Sequence, residues 1–164
     1  MSDRADEPVY SVDSSTLMDW QARYYPSDVF KTLLQKVDGL IGHDRFVAPA
    51  LVRDEVKVVG TADLIGWADA RPGIFVPTAG LLVEAQAIQN QFAGLRDPKA
   101  EYEEADAYVI ALARIKKGIV VTQETAASEK HRPRRTHFIP DVCRELGIPC
   151  VSFLGLMRRK SWTL

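Results

Sequence analysis

Short apolar runs alternate with longer segments of helical period, and this alternation limits the folds open to the chain more than any other feature. Strand-like runs fall at residues 9–12, 46–48, 118–121 and 148–153. Segments of helical period fill the intervals, at 27–37, 50–59, 64–70, 79–92, 105–116 and 142–146. Strand and helix in alternation bring the strands side by side and lay the helices across them. The expected fold is therefore α/β, with a mostly parallel central sheet of about four to five strands flanked by helices. Ser27 reads as the N-cap of the first helix, Gly39, Gly118 and Gly147 punctuate helix ends, and Gly147-Ile148-Pro149 returns the chain to a strand. A length of 164 residues gives room for one domain, placed at 9–164, with residues 1–8 as a flexible N-terminus.

Composition narrows the class. Hydrophobic residues make up 46% and charged residues 26%, which excludes a disordered or fibrous chain. No apolar run approaches the roughly 20 residues needed to span a bilayer. The start M-S-D-R-A-D-E-P is acidic where a secretion signal would be basic and then apolar, so a cytoplasmic protein is expected. Cys143 and Cys150 lie in apolar contexts without C-x-x-C spacing and read as reduced core residues. A net charge of −1 gives no overall basic field, and positive charge concentrates only in K-H-R-P-R-R at 130–135.

The acids are more informative. Ligands of open parallel sheets bind outside the carboxyl ends of the strands, where an acid is placed for chemistry rather than packing. Asp13 ends the first run, and I-V-V-T-Q-E at 119–124 delivers Thr122 and Glu124 at the end of the third. On the helix over 50–59, Glu55 lies about 40° from Leu51, in an arc with Val52, Val58 and Val59. On the helix over 105–116, Asp106 opens a stripe with Ile110, Val109 and Ala113, in a first turn that favours negative charge. Each acid also has an ordinary reading: Asp13 as a turn or cap residue, Asp106 as an N-cap, Glu124 as a solvated loop acid. Grouped at one sheet edge, four carboxylates raise one another's pKa and must hold protons or cations. Hard divalent ions such as Mg²⁺ or Mn²⁺ suit an all-oxygen set.

The motifs V-D-S-S at 12–15, L-V-R-D-E-V at 51–56, A-D-A-Y-V-I-A-L-A at 105–113 and V-V-T-Q-E at 120–124 resemble, in order, those of PIN-domain nucleases. Y-Y-P at 24–26 and I-P-D-V-C at 139–143 resemble a PIN-like branch described as a domain of unknown function. The resemblance implies a three-layer α/β/α fold. It also implies a Mg²⁺- or Mn²⁺-dependent ribonuclease whose relatives include VapC-type toxins of toxin–antitoxin pairs. The family's acidic quartet falls on Asp13, Glu55, Asp106 and Glu124, with Asp141 a candidate fifth member or else an N-terminal cap. Many family members carry Asp where this chain has Glu124. Ser14 and Thr122 would orient the ligands, and Lys130, Arg132, Arg134 and Arg135 would meet RNA or an acidic antitoxin segment. The toxin precedent, with L-L-V-E-A-Q-A-I at 81–88, implies a homodimer.

Rival chemistries fit less well. D-S-S-T lacks the second Asp of the D-x-D-T start of aspartate-nucleophile phosphatases, and no phosphate-binding glycine motif is present. A metal-free ribonuclease would need His131 or His137, both in the polar stretch at 128–137, as acid and base. His43 reads as a turn residue. An inactive PIN-like module that binds RNA or protein remains the non-enzymatic alternative.

Overall fold

The computed structural model describes residues 7–133 and 135–164. Five strands form one all-parallel sheet in the order β3-β2-β1-β4-β5: β1 Tyr10–Val12, β2 Phe46–Pro49, β3 Phe75–Val76, β4 Ile119–Val121 and β5 Cys150–Val151. Eight α-helices flank it among the described residues: α1 Ser14–Met18, α2 Lys31–Gly42, α3 Ala50–Val59, α4 Ala62–Asp69, α5 Leu82–Gln91, α6 Asp106–Lys116, α7 Ile139–Leu146 and α8 Phe153–Arg159. The α/β class and the mostly parallel sheet read from the chain are those observed, in three α/β/α layers. No helix of the described residues is long and apolar enough to cross a membrane.

The pleat assigns the two faces. Side chains alternate along a strand, so Tyr10 and Val12 share the face of Phe46, their neighbour in register, while Ser11 points the other way. The Phe46 face meets Trp20, whose ring stands edge-on to Phe46 and Trp67 and tilted to Phe153. The Ser11 face meets α6, and the Ser11 hydroxyl donates to the Val109 carbonyl at 2.7 Å. Between Asp106 and Ala113 every residue of α6 is buried, so this helix is a central layer element enclosed by the sheet, α5 and α7.

The chain runs outward from β1 to β2 and β3, then returns to pair β4 on the other side of β1. The strand order therefore reverses between β1 and β4, and ligands of open parallel sheets bind outside the strand ends at such a reversal. Asp13 follows β1 directly and Thr122–Glu124 follow β4, so the reversal brings both acids to one place. The Asp13 amide donates to the Val121 carbonyl at 3.0 Å, and the Thr16 hydroxyl donates to the same carbonyl at 3.1 Å.

Several elements differ from the sequence-based expectation. The two-residue β3 lies between Pro72-Gly73 and Pro77, too short to give a period. The run at 148–153 yields only a two-residue β5, because Ser152 caps a helix at Phe153 by accepting from the Gly155 amide at 3.0 Å. The helix expected at 27–37 begins at Lys31. The Pro26 carbonyl takes the amides of Val29 and Phe30 in a preceding turn, and the Ser27 hydroxyl caps nothing. D-S-S-T enters α1, which continues as a π-helix over Asp19–Tyr24, where the Tyr25 amide reaches the Trp20 carbonyl at 2.8 Å. Of the expected flexible N-terminus, residues 1–6 lie outside the described residues, and Glu7 pairs with Lys160 at 2.8 Å.

Candidate functional site

Asp13 is 3% exposed at the carboxyl end of β1. Its Oδ2 accepts from the Ser15 hydroxyl at 2.7 Å and from the Thr122 hydroxyl at 3.1 Å. Burial raises its pKa; these two hydroxyls and the amides of Ser14 and Ser15 act in the opposite direction. Thr122 Oγ1 in turn accepts the Glu124 amide at 3.1 Å, and the Ser15 hydroxyl accepts the Gln123 amide at 3.1 Å. The Gln123 side chain bridges Asp19 and the Phe153 amide. The segment after β4 is thus held residue by residue against the segment after β1.

Glu55 comes from α3 and accepts from the Ser14 hydroxyl at 3.3 Å. It is half-buried at the edge of the packed face, which centres on Val52 and Val56. Val58 and Val59, expected to share that face, are 82% and 63% exposed. Burial, then the charges of Asp13, Glu104 and Glu124, push the Glu55 pKa up to about 7.

Asp106 begins α6 at 8% exposure, and Glu124 follows β4. Burial, and then neighbouring acids, raise both pKa values: Glu124 and Asp13 for Asp106, Asp13 for Glu124. The four acids named from strand ends and helix faces thus interact in one cluster. Among the described residues, one cation enters it. Arg135 donates from Nη1 to Asp106 Oδ2 at 2.7 Å and to the Leu95 carbonyl at 3.0 Å, and from Nη2 to Glu124 Oε1 at 3.3 Å. Glu104 lies 4.0 Å from the same guanidinium, and the Phe138 ring lies under it at 4.4 Å. Burial lowers the Arg135 pKa, but Asp106, Glu124 and Glu104 outweigh it and the net shift is upward.

Among the described residues, no three His, Cys, Asp or Glu side chains already converge in a metal-holding group. Asp106 and Glu124 instead share the guanidinium. The donor set nevertheless fits a hard cation, since Asp13, Glu55, Glu104, Asp106 and Glu124 present only carboxylate oxygens and, among the described residues, a single positive side chain faces them.

A family model described as a domain of unknown function, DUF4411, matches residues 10–164, from the first strand to the last residue. The chain belongs to the DUF4411 family. No curated protein and no solved structure matches it.

Other residues singled out in this DUF4411 chain lie elsewhere or have different partners. The Asp141 carboxylate accepts the amides of Phe138 at 2.8 Å and Ala127 at 2.9 Å, which makes it the cap of α7. Glu124 Oε2 assists by taking the Ile139 amide at 3.1 Å. Lys130 lies over the Phe138 ring, Arg132 is exposed, and Arg134 is outside the described residues. Arg135, expected on an outward basic patch beside the acids, instead reaches in among them. His137 bonds Glu145 at 2.9 Å, His131 is exposed, and His43 ends α2. Cys143 and Cys150 are free thiols. Sequence reasoning did not assign Ser15, Glu104 or the pairing of Arg135. Ser15 was detectable as a second hydroxyl beside Asp13, whereas the other two reach the cluster from irregular segments that carry no period.

The raised pKa of Glu55 gives this DUF4411 domain a definite pH dependence. A carboxyl that keeps its proton to about pH 7 when folded, against an ordinary 4.5, stabilises the fold fully below the ordinary value. That contribution is lost as the pH rises toward 7. Asp13, Asp106 and Glu124 shift in the same direction. Glu55→Gln keeps the side chain neutral, so it should be more stable than wild type by up to about 3 kcal/mol near pH 8 and nearly equal near pH 4. Urea unfolding at the two pH values measures the difference.

Proposed function

We propose that this domain is a divalent-metal-dependent endoribonuclease of PIN-like type, acting as the toxin of a toxin–antitoxin pair in the cytoplasm. The observation that supports the reading is that Asp13, Glu55, Asp106 and Glu124 lie close enough to raise one another's pKa at the strand ends where the strand order reverses. These carboxylates would hold Mg²⁺ or Mn²⁺, with Asp13 and Asp106 central because each starts from a fixed element end. Such an ion, when bound, activates a water for in-line attack on a phosphodiester and neutralises charge on the transferred phosphoryl oxygens.

The chain's own residues do the positioning. Ser15 and Thr122 fix the rotamer of Asp13, Ser14 holds Glu55, and the Gln123 bridge keeps the Glu124 segment in register. Lys130 and Arg132 supply positive charge for a polyanion that the acids alone would repel. Homodimerisation rests on Leu82 and Val83, the exposed edge of α5; Leu81, Ala85 and Ile88 of the same stripe belong to the core.

The pairing of Arg135 with Asp106 and Glu124 favours a second reading, an inactive module in which arginine permanently takes the place of the ion and the surface binds RNA or protein. Incubation of labelled RNA with Mn²⁺, followed by analysis of the fragment ends, separates the readings. Metal-dependent hydrolysis leaves a 5′-phosphate and a 3′-hydroxyl. A 2′,3′-cyclic phosphate would assign the chemistry to a histidine mechanism, and intact RNA to the inactive module.

A further inference from the structure

A cavity of about 270 Å³ adjoins the acid cluster and shares Glu104 and Asp106 with it. Its other walls come from the end of α5, with Gln89 and Asn90, and from the irregular segment 96–105, with Arg96 and Tyr102. Tyr102 is 65% exposed, and among the described residues no ring or cation stacks on it. Tyr102 lines the cavity alongside Glu104 and Asp106, and slight burial with the charges of Glu55, Glu104, Asp106 and Asp97 raises its phenol pKa. Arg96 is exposed at the same rim and forms no ion pair among the described residues.

We propose that this cavity is a nucleobase subsite with Tyr102 as its stacking platform, an inference that rests on the nuclease reading and specifies where the substrate sits. The chemistry of the lining selects a base rather than a phosphate. Glu103, which stands outside the proposed metal set, repels an anion even when a cation is bound, whereas a nucleobase is neutral and carries N–H donors that a carboxylate accepts. Glu103 is held in place, accepting from the Tyr108 hydroxyl at 3.2 Å and from the Gln89 amide at 3.4 Å. The amides of Gln89 and Asn90 offer both donors and acceptors, so several base edges can pair with them. An unstacked base on an aromatic ring is the usual mode of single-strand recognition. A base seated here leaves its own phosphates outside the cavity, within reach of the exposed Arg96 at the rim.

The test is fluorescence anisotropy of a labelled single-stranded RNA of mixed sequence, with Ca²⁺ replacing Mg²⁺ to neutralise the acids while slowing hydrolysis. Tyr102→Ala should weaken binding about tenfold or more, the range found when a base loses its aromatic platform. Tyr102→Phe and Tyr102→Trp, which keep a ring, should stay within about twofold of wild type on the same reasoning. The slope of log K against log salt should be unchanged in Tyr102→Ala, because no phosphate contact is lost, and should fall in Arg96→Ala. The exposure of Tyr102 makes a folding defect easy to recognise, as a lowered Tm. If wild type binds RNA and Tyr102→Ala binds equally well, or if Tyr102→Phe loses as much as Tyr102→Ala, the subsite is wrong while the nuclease reading stands. If wild type binds no RNA at all, the nuclease reading fails and the subsite fails with it.

Discussion

Arg135→Met is expected to cost the metal-free protein about 3–5 kcal/mol of stability at neutral pH, the range for removing one partner of a buried ion pair. Methionine keeps most of the volume and removes the charge. The size of the effect follows from where the guanidinium sits. Its side chain is 13% exposed, and among the described residues it is the one cation bonding Asp106 and Glu124, with Glu104 at the limit of pairing distance. An exposed ion pair would cost less than about 1 kcal/mol, so the measurement separates the two situations clearly. Divalent metal should partly reverse the loss. Mn²⁺ and Arg135 compete for the same two carboxylates, and removal of the competitor should tighten Mn²⁺ binding about tenfold, within the usual range of coupling between two ligands. Thermal unfolding of wild type and variant, each with and without Mn²⁺, reads both effects. A variant that unfolds like wild type and gains nothing from Mn²⁺ would show Arg135 to be an incidental surface contact.

Asp106→Asn should reduce RNA cleavage by more than about 100-fold, beyond the loss caused by residues that only orient metal ligands. The substitution is nearly isosteric, removes one carboxylate charge and leaves α6 with its packing, because every residue from Ala107 to Ala113 is buried independently of it. Asp141→Asn provides the control. That carboxylate accepts the Phe138 amide at the start of α7 and the Ala127 amide of a neighbouring turn and bonds none of the four acids, so its loss should cost about 1 kcal/mol of stability as a weakened cap. Cleavage per folded molecule should then remain. Activity lost equally in both variants would place Asp141 in the reacting centre.

The two variants also mark how far the chain could be read without coordinates. Asp13 and Glu124 were legible because β1 and β4 are apolar runs that stop abruptly at polar residues, and the parallel sheet carries such ends to a common edge. Asp106 was legible from the apolar stripe it opens, although α6 is buried on all sides rather than along one stripe. Glu55 was found with its face misplaced by part of a turn, since Val58 and Val59 are outside and the packed residues are Val52 and Val56. D-S-S-T supports a turn or a helix start equally well by local chemistry, and only the packing of Trp20 against Phe46, Trp67 and Phe153 decides for the helix. Phe153 reads as the last residue of a strand over 148–153, whereas it opens α8 once Ser152 is seen to cap that helix. Arg135 was recognised as a charge but not as a partner. It lies 29 residues from Asp106 and 11 from Glu124 along the chain, across loops with no period to trace.

Titration calorimetry of Mn²⁺ into wild type and Asp13→Asn tests the metal assignment most directly, because it needs neither the RNA nor a partner to be known. Asp13 is the acid held by the most side-chain hydroxyls, and Asn preserves its shape while removing its charge. The expected result is saturable binding by wild type and a marked loss in a variant whose unfolding curve shows it folded. A folded wild type that takes up neither Mn²⁺ nor Mg²⁺, or an Asp13→Asn isotherm identical to that of wild type, would contradict the assignment of these acids as a metal centre.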